Sequence, residues 1–445
     1  MTGPQISVGI TLKRRIGLAG AVLMGLGSII GTGVFVSIGV AAGAAGSGVL
    51  LAIVAAAFVA TFNGLNSAQL AANHPVSGGT YEYGYRFLNP QFGFIAGWTF
   101  LLAKSASAAT AALGASSYIL TALHWSEALL IPFSLLIVAS ITLIAYGDIQ
   151  RSNRFNAAVL MITLFALSAF IVLGAGTVNI AFFSDLFPKD GNLGGFLEAT
   201  ALMFVAYTGY GRIATLGEEV HDPRRTIPQA VVAALAIVAI LYFGVALIAI
   251  GTLSAPVLAS VAQSGAAPLQ VAADQIAVPG LSLLVGLGAI TAMLSVLINL
   301  VLGLSRVWLA MGRRGDMPPR LAQVNAQRST PQAAVLLTGI VIGCIVLVGS
   351  IRVAWSFSAF SVLIYYAITN LAALKIPTDA RLAPRWVAWA GLIACLFLAF
   401  WVDPAVWIVG LILIAVGLIW QMIAWRIFRT SAINLQQISK SDEDA

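Results

Sequence analysis

The sequence contains few charged residues. Only 9% of its 445 residues are Asp, Glu, Lys or Arg, 60% are hydrophobic, and the mean hydropathy is +0.97. A soluble domain of this length requires a much more polar surface. The composition therefore excludes a soluble protein and indicates an integral membrane protein.

Residues suited to metal or redox chemistry are also scarce. The two cysteines, Cys344 and Cys395, lie in apolar runs at no metal-binding or redox spacing, and the three histidines fall in loops or at the ends of apolar runs. The sequence has no HExxH motif, no GxSxG motif and no paired aspartates at membrane depth. We therefore expect no metal site, no catalytic residue and no bound cofactor, which argues against a membrane-embedded enzyme.

Long apolar runs are abundant, and they predict twelve membrane spans. A helix needs roughly 20 apolar residues to cross a bilayer. Breaks at Pro, Gly and charge clusters place the spans at 16–42, 48–72, 92–122, 128–147, 155–176, 195–219, 228–253, 281–310, 332–350, 353–374, 385–401 and 404–427. The moderately apolar segment 254–279 predicts one short helix on the outer surface.

Lys and Arg residues are strongly biased to one side of these spans. If the N-terminus is cytoplasmic, 19 of the 23 cations lie in inner segments, Lys189 and Arg352 lie outside, and Lys104 and Arg212 fall within spans. The positive-inside rule then places both termini in the cytoplasm. The net charge of +7 faces the lipid of the inner leaflet, so we expect no nucleic-acid partner. The predicted location is the cell inner (plasma) membrane.

Two predicted spans contain glycine clusters near their middle. In the first span, GSIIGTGVF places Ser28 and Thr32 among Gly27, Gly31 and Gly33. Glycine costs about 1 kcal/mol relative to alanine in a helix but lets the backbone leave helical geometry. A close-packed GxxxG face and a break in the helix both explain this pattern. The hydroxyl groups could satisfy freed backbone groups or bind a ligand.

The sixth span carries a matching cluster, which favours the break. Its sequence YTGYG spans residues 207–211. Breaks in spans one and six are what a repeat of five plus five helices places in corresponding positions, with a binding site near the bilayer middle. The free N–H groups of one half-helix attract a carboxylate, and exposed carbonyl groups accept from an ammonium. The pattern therefore predicts a receptor for a zwitterion.

Four segments in order resemble one known family. GSIIGTGVF is similar to the first-helix signature of the amino acid-polyamine-organocation transporters. The other three resemble segments of that family after helix 2, helix 6 and helix 8: HPVSGGTYEYGYRFLNPQFGFIAGW (74–98), EEVHDPRRTIPQA (218–230) and SRVWLAMGRRGDMPPRLAQV (305–324). The chain thus resembles a bacterial amino acid permease of this superfamily over most of its length.

The resemblance implies an all-α membrane protein of twelve transmembrane helices with the LeuT-type fold. The transporter domain would cover 16–427, with inverted repeats at about 16–176 and 195–374 and helices 11 and 12 at about 385–427. Residues 1–15 and 428–445 would be cytoplasmic. The implied activity is secondary active transport of amino acids by alternating access, as a permease or an exchanger.

The resemblance also assigns site residues. The backbone at Thr32 and Gly33 would receive the substrate carboxylate, and the carbonyl groups of Ile29, Val205 and Thr208 its ammonium. Two tyrosines of the second cluster are candidates for walls or gates, or else are packing aromatics. The full set of substrate-binding candidates is Ser28, Ile29, Gly31, Thr32, Gly33, Val205, Ala206, Tyr207, Thr208 and Tyr210.

Coupling candidates come from the few polar residues at membrane depth. None of the sixteen acidic residues falls at mid-membrane, so a proton relay built on a carboxylate is not expected. Many family members carry a coupling lysine in helix 5, but that position aligns with Thr163, which puts lysine coupling there in doubt. Sodium coupling stays open, since Thr163, Ser295 and the carbonyl groups of span 1 could supply oxygen ligands.

Two cations remain inside spans. Lys104 lies 12 residues past Phe92, about 18 Å into span 3, and a lysine at this depth is a functional candidate. It would face the site or replace the charge absent at Thr163, and both placements favour neutral or acidic substrates over cationic ones. Arg212 follows the second break, near Glu218 and Glu219, where a structural role is plausible.

The expected partners are membrane lipid and a small amino acid. Polyamines and other organic amines are the alternative substrates, against which the lack of buried acid argues. A channel or a receptor on the same fold is the remaining alternative.

Overall fold

The computed structural model describes residues 16–74, 79–147, 153–183, 193–214, 220–265, 267–325 and 330–429. These residues form helices joined by short turns, and the same residues contain no β-strand beyond two isolated bridges. The α-helices are α1 (Leu18–Ile29), α2 (Ile38–Ala45), α3 (Val49–Asn73), α4 (Thr80–Phe87), α5 (Pro90–Leu123), α6 (Leu130–Tyr146), α7 (Asn153–Gly174), α8 (Leu193–Tyr207), α9 (Gly211–Ala214), α10 (Pro223–Leu253), α11 (Ala255–Ser264), α12 (Pro268–Ile276), α13 (Leu281–Arg314), α14 (Gln332–Val346), α15 (Ile351–Leu374), α16 (Arg385–Ala399) and α17 (Pro404–Ala424).

Within the described ranges, eight helical segments are long and apolar enough to cross a membrane. One of them, Gly33–Asn73, runs through α2 and α3 together, and three shorter apolar helices, α1, α14 and α16, accompany the eight. The helix bounds follow the predicted apolar runs within a few residues. The prediction of an all-helical, multi-pass membrane protein is therefore confirmed.

Helix α5 lies at the centre of the bundle. It begins where the side chain of Asn89 accepts a hydrogen bond from the N–H of Phe92 at 2.9 Å, with Pro90 in its first turn. It ends at His124, which has the left-handed φ of 53°. Of the most apolar stretch, 72% is buried in both α5 and α15, against 22% in α17. Helices α5 and α15 thus lie in the interior of the bundle, and α17 presents most of its surface to the outside.

Helices α5 and α15 pack side by side in opposite directions. The rings of Phe100 and Tyr365 lie 5.2 Å apart, and the hydroxyl groups of Ser107 and Ser358 lie 2.7 Å apart. On α5, Ser107 lies seven residues after Phe100, which is about two helical turns. On α15, Ser358 lies seven residues before Tyr365, so the chain direction is reversed. The two helices are therefore antiparallel, and these pairs fix their register.

The sequence missed some local structure around the bundle. Helix α4 lies in a segment that was assigned to no span. The single surface helix predicted at 254–279 is wrong, because the structure has two helices there, α11 and α12, on either side of the left-handed Gly265 (φ 84°). Both bury one apolar face, through Leu258 and Leu269, against the bundle. The predicted terminal segment 1–15, residues 430–445 of the predicted segment 428–445, and the residues Glu218 and Glu219 lie outside the described residues.

A buried carboxylate joins three helices at one end of the bundle. Asp316, just after α13, is fully buried and accepts hydrogen bonds from the hydroxyl groups of Tyr81 at 2.7 Å and Tyr85 at 2.6 Å, both on α4. The indole N–H of Trp425, just after α17, reaches the other carboxylate oxygen at 3.3 Å. Burial, and then the charge of Asp316, raise the pKa of Tyr81, so Tyr81 keeps its proton and remains a donor.

Candidate functional site

Two helix breaks cross inside the bundle. Helix α1 ends at Ile29, Ile30 is extended (φ −78°, ψ 115°), and the chain resumes helical geometry through a π-helical turn at Gly33–Ser37 that leads into α2. Helix α8 ends in a 3₁₀ turn, Thr208–Tyr210, before α9. Both predicted breaks are therefore present, and the reading of the first cluster as packing within an unbroken helix is wrong.

Glycine allows the two breaks to touch through their backbones. A β-carbon at Gly33 would lie 2.8 Å from the α-carbon of Ala206. A β-carbon at Gly209 would overlap the carbonyl group of Ser28 and lie 2.6 Å from the nitrogen of Ile29. Real β-carbons do not approach other atoms this closely, so both contacts require glycine. The crossing thus brings together Ser28, Ile29, Gly33 and Ala206, which are four of the candidate site residues.

The first break leaves hydrogen-bond donors unused. Within the described part of the chain, the backbone N–H groups of Gly31 and of the predicted donors Thr32 and Gly33 donate to no protein acceptor. The helical pattern resumes only when Val34 donates to the oxygen of Gly31 at 3.2 Å. The Thr32 hydroxyl is also buried there without a partner. Buried donors are almost always satisfied in proteins. This cluster is therefore suited to an anionic group of a ligand.

The carbonyl groups that were predicted to receive an ammonium already accept hydroxyl donors. Ile29 accepts from the hydroxyl of Tyr242 at 3.0 Å, and Val205 accepts from the side chain of Thr208 at 2.8 Å. The backbone carbonyl oxygen of Thr208 in turn accepts from the hydroxyl of Tyr366 at 3.4 Å. A carbonyl oxygen has two lone pairs, so a hydroxyl donor does not by itself prevent an ammonium from binding to the same oxygen.

Tyr242 connects the two breaks, a role that the sequence analysis did not predict. Its hydroxyl group lies 3.0 Å from the oxygen of Ile29 and 3.2 Å from that of Ala206, so one tyrosine on α10 reaches both broken segments. The only local signal in the sequence is a tyrosine within an apolar span. The structure buries this residue fully. Its partners come from distant parts of the chain, which sequence spacing does not show.

The two tyrosines of the second cluster are packed behind the break. Tyr207 is fully buried and donates to the oxygen of Ile53 at 3.1 Å. The ring of Tyr210, also fully buried, lies 5.4 Å from that of Tyr366. These contacts favour the packing alternative, while a role as walls or gates stays a prediction.

Lys104 reaches the second break. Its ammonium donates to the side-chain oxygen of Thr208 at 2.9 Å, and the lysine is partly buried. No acidic side chain in the described ranges lies within salt-bridge distance of it. This contact places Lys104 beside the second break, and both roles that the sequence allowed, facing the site and replacing the charge absent at Thr163, stay predictions. An ammonium enclosed by protein at this depth requires a partner or water.

The other coupling candidates are less directly connected to the crossing. The Thr163 hydroxyl donates to the oxygen of Val159 at 2.8 Å. Ser295 is buried on α13, the helix whose Val296 touches Gly31. Arg212 is exposed just after the second break, and its predicted partners Glu218 and Glu219 lie outside the described residues. Among the described residues, no cluster of three His, Cys, Asp or Glu side chains could hold a metal ion.

The far ends of the broken segments also meet. Ile16, just before α1, pairs with Val220 in an isolated parallel bridge, and the N–H of His221 donates to the oxygen of Ile16 at 2.9 Å. The two broken segments therefore contact each other at the crossing and again at this end.

Comparison with known proteins decides the family. The family model described as amino acid permease matches residues 20–439. The chain belongs to the amino acid permease family. This membership indicates a transporter rather than an enzyme, and it confirms the superfamily to which the four motifs pointed.

Related proteins cover most of this permease. An uncharacterized transporter of Mycobacterium tuberculosis is 41% identical over 391 residues, which are 87% of this chain and 86% of its own. A branched-chain amino acid permease of Bacillus subtilis is 30% identical over 347 residues, 74% of this chain and 73% of its own. The methylthioribose transporter of Bacillus subtilis is 28% identical over 348 residues, 74% of each chain.

Proposed function

We propose that this permease is a secondary active transporter that moves amino acids across the cell inner membrane by alternating access, as a permease or an exchanger. The observation that carries the proposal is the crossing of two helix breaks, with unused N–H groups at Gly31, Thr32 and Gly33. A carboxylate suits these donors, and an ammonium suits the carbonyl oxygens of Ile29, Val205 and Thr208. A bound amino acid satisfies both sets at once.

The proposed architecture has twelve spans in a LeuT-type arrangement. The first five spans comprise α1 with α2, then α3, α5, α6 and α7; the second five comprise α8 with α9, then α10, α13, α14 and α15. These two sets would be inverted repeats at about 16–176 and 195–374, with α16 and α17 outside them at about 385–427. Breaks in the first and sixth spans support this assignment. The bias of Lys and Arg supports cytoplasmic termini.

The substrate is proposed to be neutral or acidic rather than cationic. The ammonium of Lys104 lies 2.9 Å from Thr208 beside the break, and it repels a cationic side chain. The branched-chain amino acid permease among the relatives supports amino acids as the substrate class. Coupling to protons or to sodium is proposed without a bound cofactor.

Counterflow in liposomes tests this function. The purified protein is reconstituted and loaded in turn with glutamate, glutamine, leucine, lysine, putrescine or methylthioribose, and entry of the same labelled compound is followed. We expect saturable counterflow of at least one amino acid, and its loss in Gly33→Val, because that side chain would push the breaks apart at Ala206.

Gly27→Ala is the matched control. The nearest atom to a β-carbon at Gly27 is a methyl group of Leu160 at 3.9 Å, an ordinary contact, so we expect counterflow within about twofold of the wild type. Counterflow of putrescine or methylthioribose alone, or a flux that does not saturate, would contradict amino acid transport by a carrier.

A further inference from the structure

Lys104 is a cation that lies beside the second helix break and has no acidic partner among the described residues. Lys104 has three N–H donors, and one of them reaches the Thr208 hydroxyl. That hydroxyl donates its own proton to the oxygen of Val205, so it serves Lys104 only as an acceptor. The remaining donors of the ammonium have no acidic acceptor among the described residues.

Two acidic residues on neighbouring elements are already occupied, and a third, Glu127, lies beyond the end of α5, 23 residues from Lys104. Of the helices that contact α5, α4 contributes Glu82, which pairs with Arg314 at 2.6 Å. Asp316, after α13, holds the hydroxyl groups of Tyr81 and Tyr85. Neither carboxylate is therefore available to Lys104.

The register of α5 and α15 places Ser361 opposite Lys104. Phe100 faces Tyr365, and Ser107 faces Ser358. Lys104 lies four residues after Phe100, and Ser361 lies four residues before Tyr365, so both occupy the same level on facing surfaces. The Ser361 hydroxyl is buried, with only 1% of the residue exposed, and it has no partner within the described structure.

The charge of Lys104 also constrains what binds at the crossing. In the proposed function, on which this inference rests, the carbonyl oxygen of Thr208 receives the substrate ammonium, while the side chain of the same residue holds Lys104. Two ammonium groups so close together in a water-poor site repel each other strongly. A neutral amino acid leaves that repulsion uncompensated, and a dibasic one adds to it. A second carboxylate on the substrate removes it.

We propose that Lys104, with Ser361 facing it, forms a subsite for a second carboxylate, which makes acidic amino acids the preferred substrates. The α-carboxylate then binds at Gly31, Thr32 and Gly33, and the side-chain carboxylate binds between α5 and α15. Lys104 pairs with it through donors that the Thr208 hydroxyl does not use, and the Ser361 hydroxyl, which has no partner among the described residues, donates to it. In this arrangement Lys104 is the specificity-determining residue.

Binding of two isosteric amino acids tests the subsite. Affinities for labelled L-glutamate, L-glutamine and L-lysine are measured on the purified full-length protein in liposomes. We expect the wild type to bind glutamate about tenfold or more tightly than glutamine, with lysine weakest. Since glutamate and glutamine differ little in shape, their ratio reports the charge preference without any mutation.

Variants at position 104 then assign the preference to this residue. In Lys104→Met we expect glutamate affinity to fall about tenfold or more while glutamine affinity is kept or improved, whereas Lys104→Arg keeps the preference for glutamate. Ser361→Ala should weaken glutamate binding and leave glutamine binding unchanged. Lys375→Met, an exposed lysine at the end of α15, is the control and should match the wild type.

Three results would overturn the inference. One is equal wild-type affinity for glutamate and glutamine; another is a ratio that Lys104→Met leaves unchanged. The third is release of one proton per bound glutamine with no binding of glutamate, which would make Lys104 a proton-coupling group for neutral substrates. Failure of all three probes to bind or to be transported by the wild type would instead count against amino acid transport itself.

Discussion

Gly209 lies directly against the backbone carbonyl of Ser28, so the two broken helices touch without any side chain between them. The contact joins residues 181 positions apart in sequence. It fixes where the second break crosses the first, and it makes the absence of a side chain at position 209 a condition for the shape of the site.

Gly209→Ala should therefore abolish uptake. The added methyl group meets rigid backbone, which forces the breaks apart at a cost of about 1–3 kcal/mol. Uptake into liposomes and the melting temperature measure the two effects. Gly211→Ala is the control, because its β-carbon would lie 3.5 Å from the Tyr366 hydroxyl, an ordinary contact. Wild-type uptake and stability in Gly209→Ala would show that the crossing tolerates a side chain.

Thr32→Val should separate binding from stability. Valine keeps the shape of threonine but removes a buried hydroxyl without a partner, so the free energy of unfolding should rise by about 1 kcal/mol. Substrate affinity should fall about tenfold, because a donor to the carboxylate is lost. Thermal unfolding with and without substrate measures both. Thr32→Ser should bind like the wild type; a fall in both stability and affinity in Thr32→Val would indicate a structural role instead.

Tyr242→Phe should weaken the connection between the breaks. The change leaves the carbonyl groups of Ile29 and Ala206 without this donor, which lowers the free energy of unfolding by about 1–3 kcal/mol. Uptake should fall as well. Tyr207→Phe is the comparison, since among the described residues its hydroxyl donates to the carbonyl of Ile53 on α3 and to neither break. Equal effects of the two variants on uptake would argue against a special role for Tyr242.

Asp316→Asn should destabilise the cluster that joins α4, α13 and α17. The amide places N–H donors where the carboxylate accepted from Tyr81 and Tyr85, at a cost of about 2–3 kcal/mol. Asp379→Asn, at an exposed position, should have no effect. In an Asp316→Asn background, Tyr81→Phe should cost less than it does alone, and additive costs would show that the two residues act independently.

The pH range over which the Tyr81–Asp316 hydrogen bond stabilises the fold follows from the pKa of Tyr81. Its pKa is raised in the folded protein, so its stabilising effect is present below about pH 10, the ordinary tyrosine pKa, and is lost only as the pH rises further. The loss of stability in Tyr81→Phe should therefore be equal at pH 6 and pH 8. A difference between these two values would mean that Tyr81 titrates in the neutral range.

The sequence predicted the features that depend on neighbouring residues. Apolar runs located the helices within a few residues, and the clusters around Gly31 and Gly209 located both breaks. The depth of Lys104 in its span followed from helical rise alone. Each of these depends on spacing along one segment, which periodicity and composition report well.

Features that depend on distant pairs were not predictable. Nothing near Tyr242 signals that its hydroxyl reaches both breaks, and the partner of Lys104 is 104 residues away. The sequence did not predict the cluster at Asp316, because the carboxylate lies in a charged loop that resembles a solvated turn. The two-helix structure of 254–279 was missed because moderate hydrophobicity does not reveal the left-handed Gly265.

The bridge between Ile16 and the segment at Val220 and His221 involves backbone atoms only. Side-chain replacement leaves such a bond intact, and only proline at position 221 would remove its donor. Substitutions at these positions can therefore accumulate while the two broken segments stay hydrogen-bonded to each other. Related proteins can therefore keep this backbone contact without sharing any residue at these positions. Low sequence identity at this end does not indicate that the two broken segments of a related protein move independently.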